Sequence, residues 1–76
     1  MTQSFDFTVV LEPQAEGGFT VSVPALPEVV TEGDTEPEAL KMAEDAIRAV
    51  LEYRRDHGIP IPSDRLPTVR KITVAA

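Results

Sequence analysis

Residues 17–40 read GGFTVSVPALPEVVTEGDTEPEAL, and the order of parts in this stretch decides the fold. Gly17 and Gly18 are adjacent and suit the positive φ of a tight turn. Phe19, Val21 and Val23 then alternate with Thr20 and Ser22, the period of a strand with one buried face. Pro24 and Pro27 each lack a backbone donor, so PALP interrupts the ladder and turns the chain over an edge. Leu26, held between the two prolines, packs down as a plug. Residues 28–32 form a short strand ending at Gly33. Thr35 with Glu38 three positions on is a capping box, and Pro37 falls in the first helical turn, where its missing N–H costs nothing.

Working outward from this stretch, residues 4–12 alternate as well. Phe5, Phe7, Val9 and Leu11 point one way, while Asp6, Thr8, Val10 and Glu12 point the other. With the glycine-bearing loop between them, this run and residues 19–23 make an antiparallel hairpin. Downstream, Ala39, Leu40, Ala43, Ala46, Ile47, Val50 and Leu51 recur at steps of three and four, so residues 35–57 form an amphipathic helix. Gly58 and then Pro60 stop it. GIPIPSD is a stiff connector, and residues 69–74 read as a last strand with Arg70, Ile72 and Val74 on one side.

The elements therefore run β-β-β-α-β in one α+β domain covering residues 1–76. The expected sheet has four strands, mostly antiparallel, with one helix on one face. A right-handed crossover through the helix would set the last strand parallel to the first. The helix would then cover Phe5, Phe7, Val9 and Leu11, leaving the face with Asp6, Thr8, Thr20 and Ser22 to water or a partner.

A chain of 76 residues with 42% apolar content buries a small core. Domains of this size often gain a staple or a partner chain. Cysteine is absent, which removes disulfides and fits a reducing compartment. That leaves association, with a homodimer or higher homo-oligomer expected. The formal net charge of −6 argues against direct nucleic-acid binding, which rests on cations neutralising phosphates. It favours a basic protein partner instead. The N-terminus has no signal-peptide pattern and no apolar run approaches a membrane span. The expectation is a soluble, cytoplasmic protein without membrane contact.

No residue pattern points to catalysis. His57, the single histidine, sits at the helix C-terminus, where a capping role accounts for it. The carboxylates are spread over strand, loop and helix, so Asp6, Glu44 and Glu52 do not converge as a two-metal site would require. Gly17 and Gly18 precede a strand and lack the lysine of a phosphate loop. Arg54, Arg55, Arg65, Arg70 and Lys71 lie late in the chain, diluted by acids and without stacking aromatics. No cofactor, metal or enzymatic activity is expected.

The ordered set Gly17, Gly18, Phe19; Pro24, Leu26, Pro27; Gly33, Asp34, Thr35; Glu38, Ala39, Leu40; and the helix exit at residues 58–62 resembles the HicB family of antitoxins. The likeness runs from Phe5 to about Val74, and Glu28 and Val29 follow P-x-L-P where the family usually has a glycine. It implies a βββαβ domain akin to a shortened ribonuclease H fold without its active site. It also implies a toxin–antitoxin role, in which the domain binds and neutralises a small basic HicA-type toxin that cleaves mRNA. The resemblance is to a single-domain form, because the C-terminal DNA-binding module of many members has no counterpart here, and operator binding is not expected. The contact surface is expected at a sheet edge and the acidic helix face, through Glu28, Val29, Val30, Glu32, Glu36 and Glu44. The alternative is an orphan domain that self-assembles or binds a small ligand, with no toxin.

Overall fold

The computed structural model describes residues 3–76. Three strands, β1 (Val10–Pro13), β2 (Phe19–Ser22) and β3 (Val30–Gly33), are followed by one helix, α1 (Glu36–Asp56). The sheet is antiparallel throughout, in the order β1-β2-β3, so the chain is α+β, with the helix against one sheet face.

The β1–β2 turn closes through Gln14 N–H to the Gly18 carbonyl at 2.9 Å and Gly17 N–H to the Gln14 carbonyl at 3.0 Å. Gly17 and Gly18 have φ of +98° and +82°, which a side chain would strain. The register sets Leu11, Val21 and Thr31 side by side, on the face toward the helix. After β2 the chain makes two successive tight turns, Leu26 N–H to the Val23 carbonyl and Val29 N–H to the Leu26 carbonyl. They drive Leu26 into the core, where it is fully buried.

The helix begins as its capping chemistry requires. Thr35 is extended, and its hydroxyl oxygen accepts from the Glu38 N–H at 3.3 Å. It ends in a Schellman arrangement, with Gly58 N–H on the Arg55 carbonyl and Ile59 N–H on the Arg54 carbonyl, Gly58 having φ of +64°. Its first half packs small residues, Ala39 and Ala43, onto Val21, with Val9, Leu11 and Phe19 around them. Its second half sets Ala46, Ile47, Val50 and Leu51 against Val23, Leu26 and Val29. Val9 packs against both groups and joins them.

Three expectations are corrected. The first strand pairs only from Val10, because β2 ends at Ser22 and Pro24 offers no donor to extend the ladder. Residues 4–9 thus run on without a strand partner among the described residues. The third strand starts at Val30, not Glu28, because the second tight turn consumes Glu28 and Val29. The fourth strand over residues 69–74 is not formed within this chain; among the described residues no strand follows α1. Asp64 is tied to Thr8, whose backbone N–H donates to Oδ1 at 2.8 Å and whose hydroxyl donates to Oδ2 at 2.7 Å. Beyond it Leu66, Val69, Ile72 and Val74 are 77–85% exposed. Alternation marks a face that wants cover, but a strand also needs a ladder partner, and here the run has none.

Candidate functional site

The sheet order leaves the outer edge of β3 free, beside the start of the helix. Strand polarity sets the character of that edge. Glu12, Thr20 and Glu32 lie in one cross-strand row, and Val10, Ser22 and Val30 in the next. Both rows are on the face away from the helix. Val30 is 66% exposed there. Where β3 ends, Gly33 lets the chain pass directly under the first helical turn, and Asp34, Glu36 and Glu38 follow around the corner.

A shallow depression of about 350 Å³ opens at this corner, between the β1–β2 turn, the end of β3 and the helix start. Glu32, Asp34 and Glu38 rim it, and Phe19 and Met42 contribute apolar surface. Among the described residues Glu32, Asp34, Glu36 and Glu38 make no ion pair. Glu36 and Glu38 lie in the first helical turn, where the positive end of the helix dipole favours their charge. An acidic rim over apolar ground suits a long cationic side chain, whose stem packs while its head is paired.

The six residues expected to bind a partner divide by location. Val30, Glu32 and Glu36 surround the free edge and the acidic corner, all exposed. Glu44 lies farther along the helix, where Arg48 holds it at 3.0 Å. Glu28 is engaged within the fold. Its carboxylate accepts from Arg54 Nη2 at 2.8 Å and Arg54 Nε at 3.3 Å, and that hydrogen bonding holds it below its ordinary value of 4.5. Arg54 also donates to the Pro60 carbonyl at 3.0 Å, so one guanidinium clamps the PALP corner, the helix end and the connector. Val29 is core: it is 2% exposed and packs with Val23 and Leu26. Two adjacent valines cannot both face out of a strand, and the tight turn at Leu26 selects Val30.

Asp34 and Glu38 belong to the acidic corner but stand outside that set of six. The sequence signal for them is the run from Gly33 to Glu38, which reads as helix-start chemistry. A second open cleft, about 320 Å³, lies between residues 5–9 and the helix, lined by Phe5, Phe7, Val9, Leu40, Ala43 and Ile47 among others. The expected burial of Phe5 is incomplete, since it is 42% exposed.

His57 is where the helix end places it. Its backbone N–H donates to the Tyr53 carbonyl at 3.1 Å, its Nδ1 lies 2.8 Å from the same oxygen, and its ring stacks on Tyr53 at 4.1 Å. Among the described residues, no group of three or more His, Cys, Asp or Glu side chains is placed to hold a metal. Besides Glu28, Asp64 is held below its ordinary range by the Thr8 N–H and hydroxyl. Both shifts keep a carboxylate ionised, the direction of a structural anchor and not of a proton donor at neutral pH. Among the described residues, no helix is long and apolar enough to cross a membrane.

Comparison with known proteins bears on what this surface is for. Residues 7–72 match the family described as HicB_like antitoxin of bacterial toxin-antitoxin system. The chain is similar to Antitoxin HicB 1 of Photorhabdus laumondii subsp. laumondii, 47% identical over 58 residues, which cover 74% of this chain and 37% of that protein. It is similar to Antitoxin HicB of Escherichia coli K12, 37% identical over 59 residues, covering 75% of this chain and 43% of that protein. A UPF0150 protein of Thermoplasma acidophilum is 40% identical over 70 residues, covering 92% of this chain and 97% of the relative. The match thus takes in less than half the length of these two antitoxins and nearly the whole of the Thermoplasma protein.

Proposed function

The chain belongs to the HicB-like antitoxins of bacterial toxin–antitoxin systems, and from that premise we propose that it binds and neutralises a small basic HicA-type, mRNA-cleaving toxin without itself catalysing a reaction. The observation that carries this reading is the acidic corner, where Glu32, Asp34, Glu36 and Glu38 make no ion pair among the described residues and lie beside the edge strand β3. A toxin that grips RNA must present cations to phosphates. An acidic surface competes for those same cations, so occupancy alone silences the toxin. No bond is made or broken.

Long-range attraction speeds the encounter, and the edge of β3 with Val30 supplies directional and apolar contacts once the proteins meet. The partner acts on mRNA, so the complex forms in the cytoplasm. The net charge of −6 disfavours direct nucleic-acid binding by this domain. The same reading carries a shortened ribonuclease-H-like layout.

One observation favours a second reading. The chain matches 97% of the length of the UPF0150 protein of Thermoplasma acidophilum, a length that fits an orphan domain that self-assembles or binds a small ligand. Co-expression separates the two. The chain is expressed with the product of a neighbouring short reading frame encoding a basic protein. Restored growth and a stable co-purifying complex are expected; persistent toxicity with no complex sinks the antitoxin reading and leaves the orphan one.

A further inference from the structure

Among the described residues β3 is an edge strand, and the hairpin before it fixes which of its backbone groups look outward. Gln14 N–H donates to the Gly18 carbonyl at 2.9 Å, and an antiparallel ladder alternates from that point. With Thr20 opposite Glu12, Ser22 opposite Val10 and Val21 opposite Thr31, Thr20 and Ser22 bond toward β1 and Val21 bonds toward β3. The N–H and C=O groups of Val30 and Glu32 therefore point away from the sheet. On β1 the outward positions are Leu11 and Pro13, and Pro13 has no N–H to give. The β3 edge has no proline to guard it, and its only charge is Glu32.

Side chains specify what can lie along this edge. Glu12, Thr20 and Glu32 form one cross-strand row and Val10, Ser22 and Val30 the next, both on the face away from the helix. A strand laid against β3 places one residue at the end of each row, two positions apart whichever way it runs. Glu32 selects a cation there, and Val30, 66% exposed, selects an apolar residue. The residue between them falls beside Thr31. Two positions beyond the first cation the strand reaches the depression rimmed by Asp34 and Glu38 over Phe19 and Met42. A second long cation suits that ground. A second copy of β3 does not meet this pattern, because it would set acid against acid.

We propose that the outer edge of β3 accepts, as an added strand, an extended segment of the basic partner with the spacing apolar-x-cation-x-cation, where x carries no negative charge. The partner's basic character rests on the antitoxin reading; the edge and the spacing rest on the ladder and its register. Main-chain bonds to Val30 and Glu32 hold the segment, and its alternate side chains fix where along the edge it sits.

The probe is the blocked peptide acetyl-Thr-Val-Thr-Arg-Thr-Arg-Thr-amide, added to the isotope-labelled full chain. Amide exchange at Val30 and Glu32 should slow on binding, with Leu11 unaffected. The same peptide N-methylated at every residue from the valine to the last arginine keeps its charge and should bind at least about tenfold more weakly. Val30→Pro removes one outward N–H, breaks no bond to β2 and leaves every acid in place. It should weaken the unmodified peptide about tenfold and speed dissociation of a basic toxin without changing its association rate. No binding, equal binding of the two peptides, or slowed exchange at β1 instead of β3 overturns the proposal. So does protection of Val30 and Glu32 without peptide that grows with chain concentration, which puts a second copy on the edge. A toxin neutralised equally by the parent and Val30→Pro removes the edge and leaves the antitoxin reading. Peptide docking with no toxin neutralised removes the antitoxin reading and keeps the edge. The peptide comparison uses the parent chain, so it stands by itself should the variant fail to fold.

Discussion

Gly33 lies so close beneath the helix that a β-carbon on it would sit 2.5 Å from the Ala39 backbone nitrogen and 2.7 Å from the Ala39 α-carbon. Ala39, fully buried, keeps the other side of the contact equally thin. A glycine on the sheet and an alanine on the helix together set the distance between the two layers. The clash is with backbone, which cannot swing aside as a side-chain tip does. Gly33→Ala should therefore destabilise the fold by about 3 kcal/mol, the upper range of overpacking costs. Thermal melts of the parent and the variant measure it, and a loss within error would mean that the layers part at little cost.

Thr35 supplies the hydroxyl that accepts from the Glu38 N–H at 3.3 Å. Alanine there leaves the donor to water and should cost about 1 kcal/mol. Serine retains the oxygen and should recover most of that loss. An unchanged melting temperature in Thr35→Ala would show that the helix does not depend on this cap.

Glu28 and Asp64 are both held below their ordinary carboxylate ranges, Glu28 by Arg54 and Asp64 by the Thr8 N–H and hydroxyl. A depressed folded-state value adds stability above the unfolded value, and that stability is lost as pH falls through the folded one. The parent should therefore weaken progressively on acidification below the ordinary values of 4.5 and 3.8. Glu28→Gln should be less stable at pH 7 and show a shallower acid decline. Urea midpoints from pH 7 down to low pH read both effects. If the acid limbs of parent and variant superpose, the Arg54 clamp is not what holds the corner.

The local parts of this fold were legible because local chemistry specifies them. Thr35, Pro37 and Gly58 bound the helix by capping rules that need no distant partner, and Leu26 between two prolines reads as a plug from its neighbours alone. Strand limits were less legible. Whether residues 4–9 and 69–74 count as strands depends on what lies beside them, and periodicity carries no information about that. The Arg54–Glu28 clamp spans 26 positions and the Thr8–Asp64 anchor spans 56. Neither leaves a trace in a hydropathy pattern. For the interaction surface, acidity and a free edge were readable, whereas the convergence of Asp34 and Glu38 with Glu32 depended on how Gly33 folds the chain under the helix.

That convergence separates acids that are free to meet a partner from acids already engaged. Glu44 and Asp45 are paired along the helix with Arg48 and Lys41, at 3.0 Å in each case, while Glu32 and Asp34 make no ion pair among the described residues. Charge at an interface rim acts mainly on the association rate and its salt dependence. The double variant Glu32→Lys, Asp34→Lys should therefore slow association with a basic toxin by about tenfold or more at low salt. Glu44→Gln should have a much smaller effect. Both positions of the double variant are exposed, so stability should stay within about 0.5 kcal/mol per substitution of the parent. Stopped-flow association across a salt series, with thermal melts as the control, reads these quantities separately. Equal slowing by Glu44→Gln and the double variant would move the contact onto the helix face. Slowing by neither would remove the acidic corner from the encounter altogether.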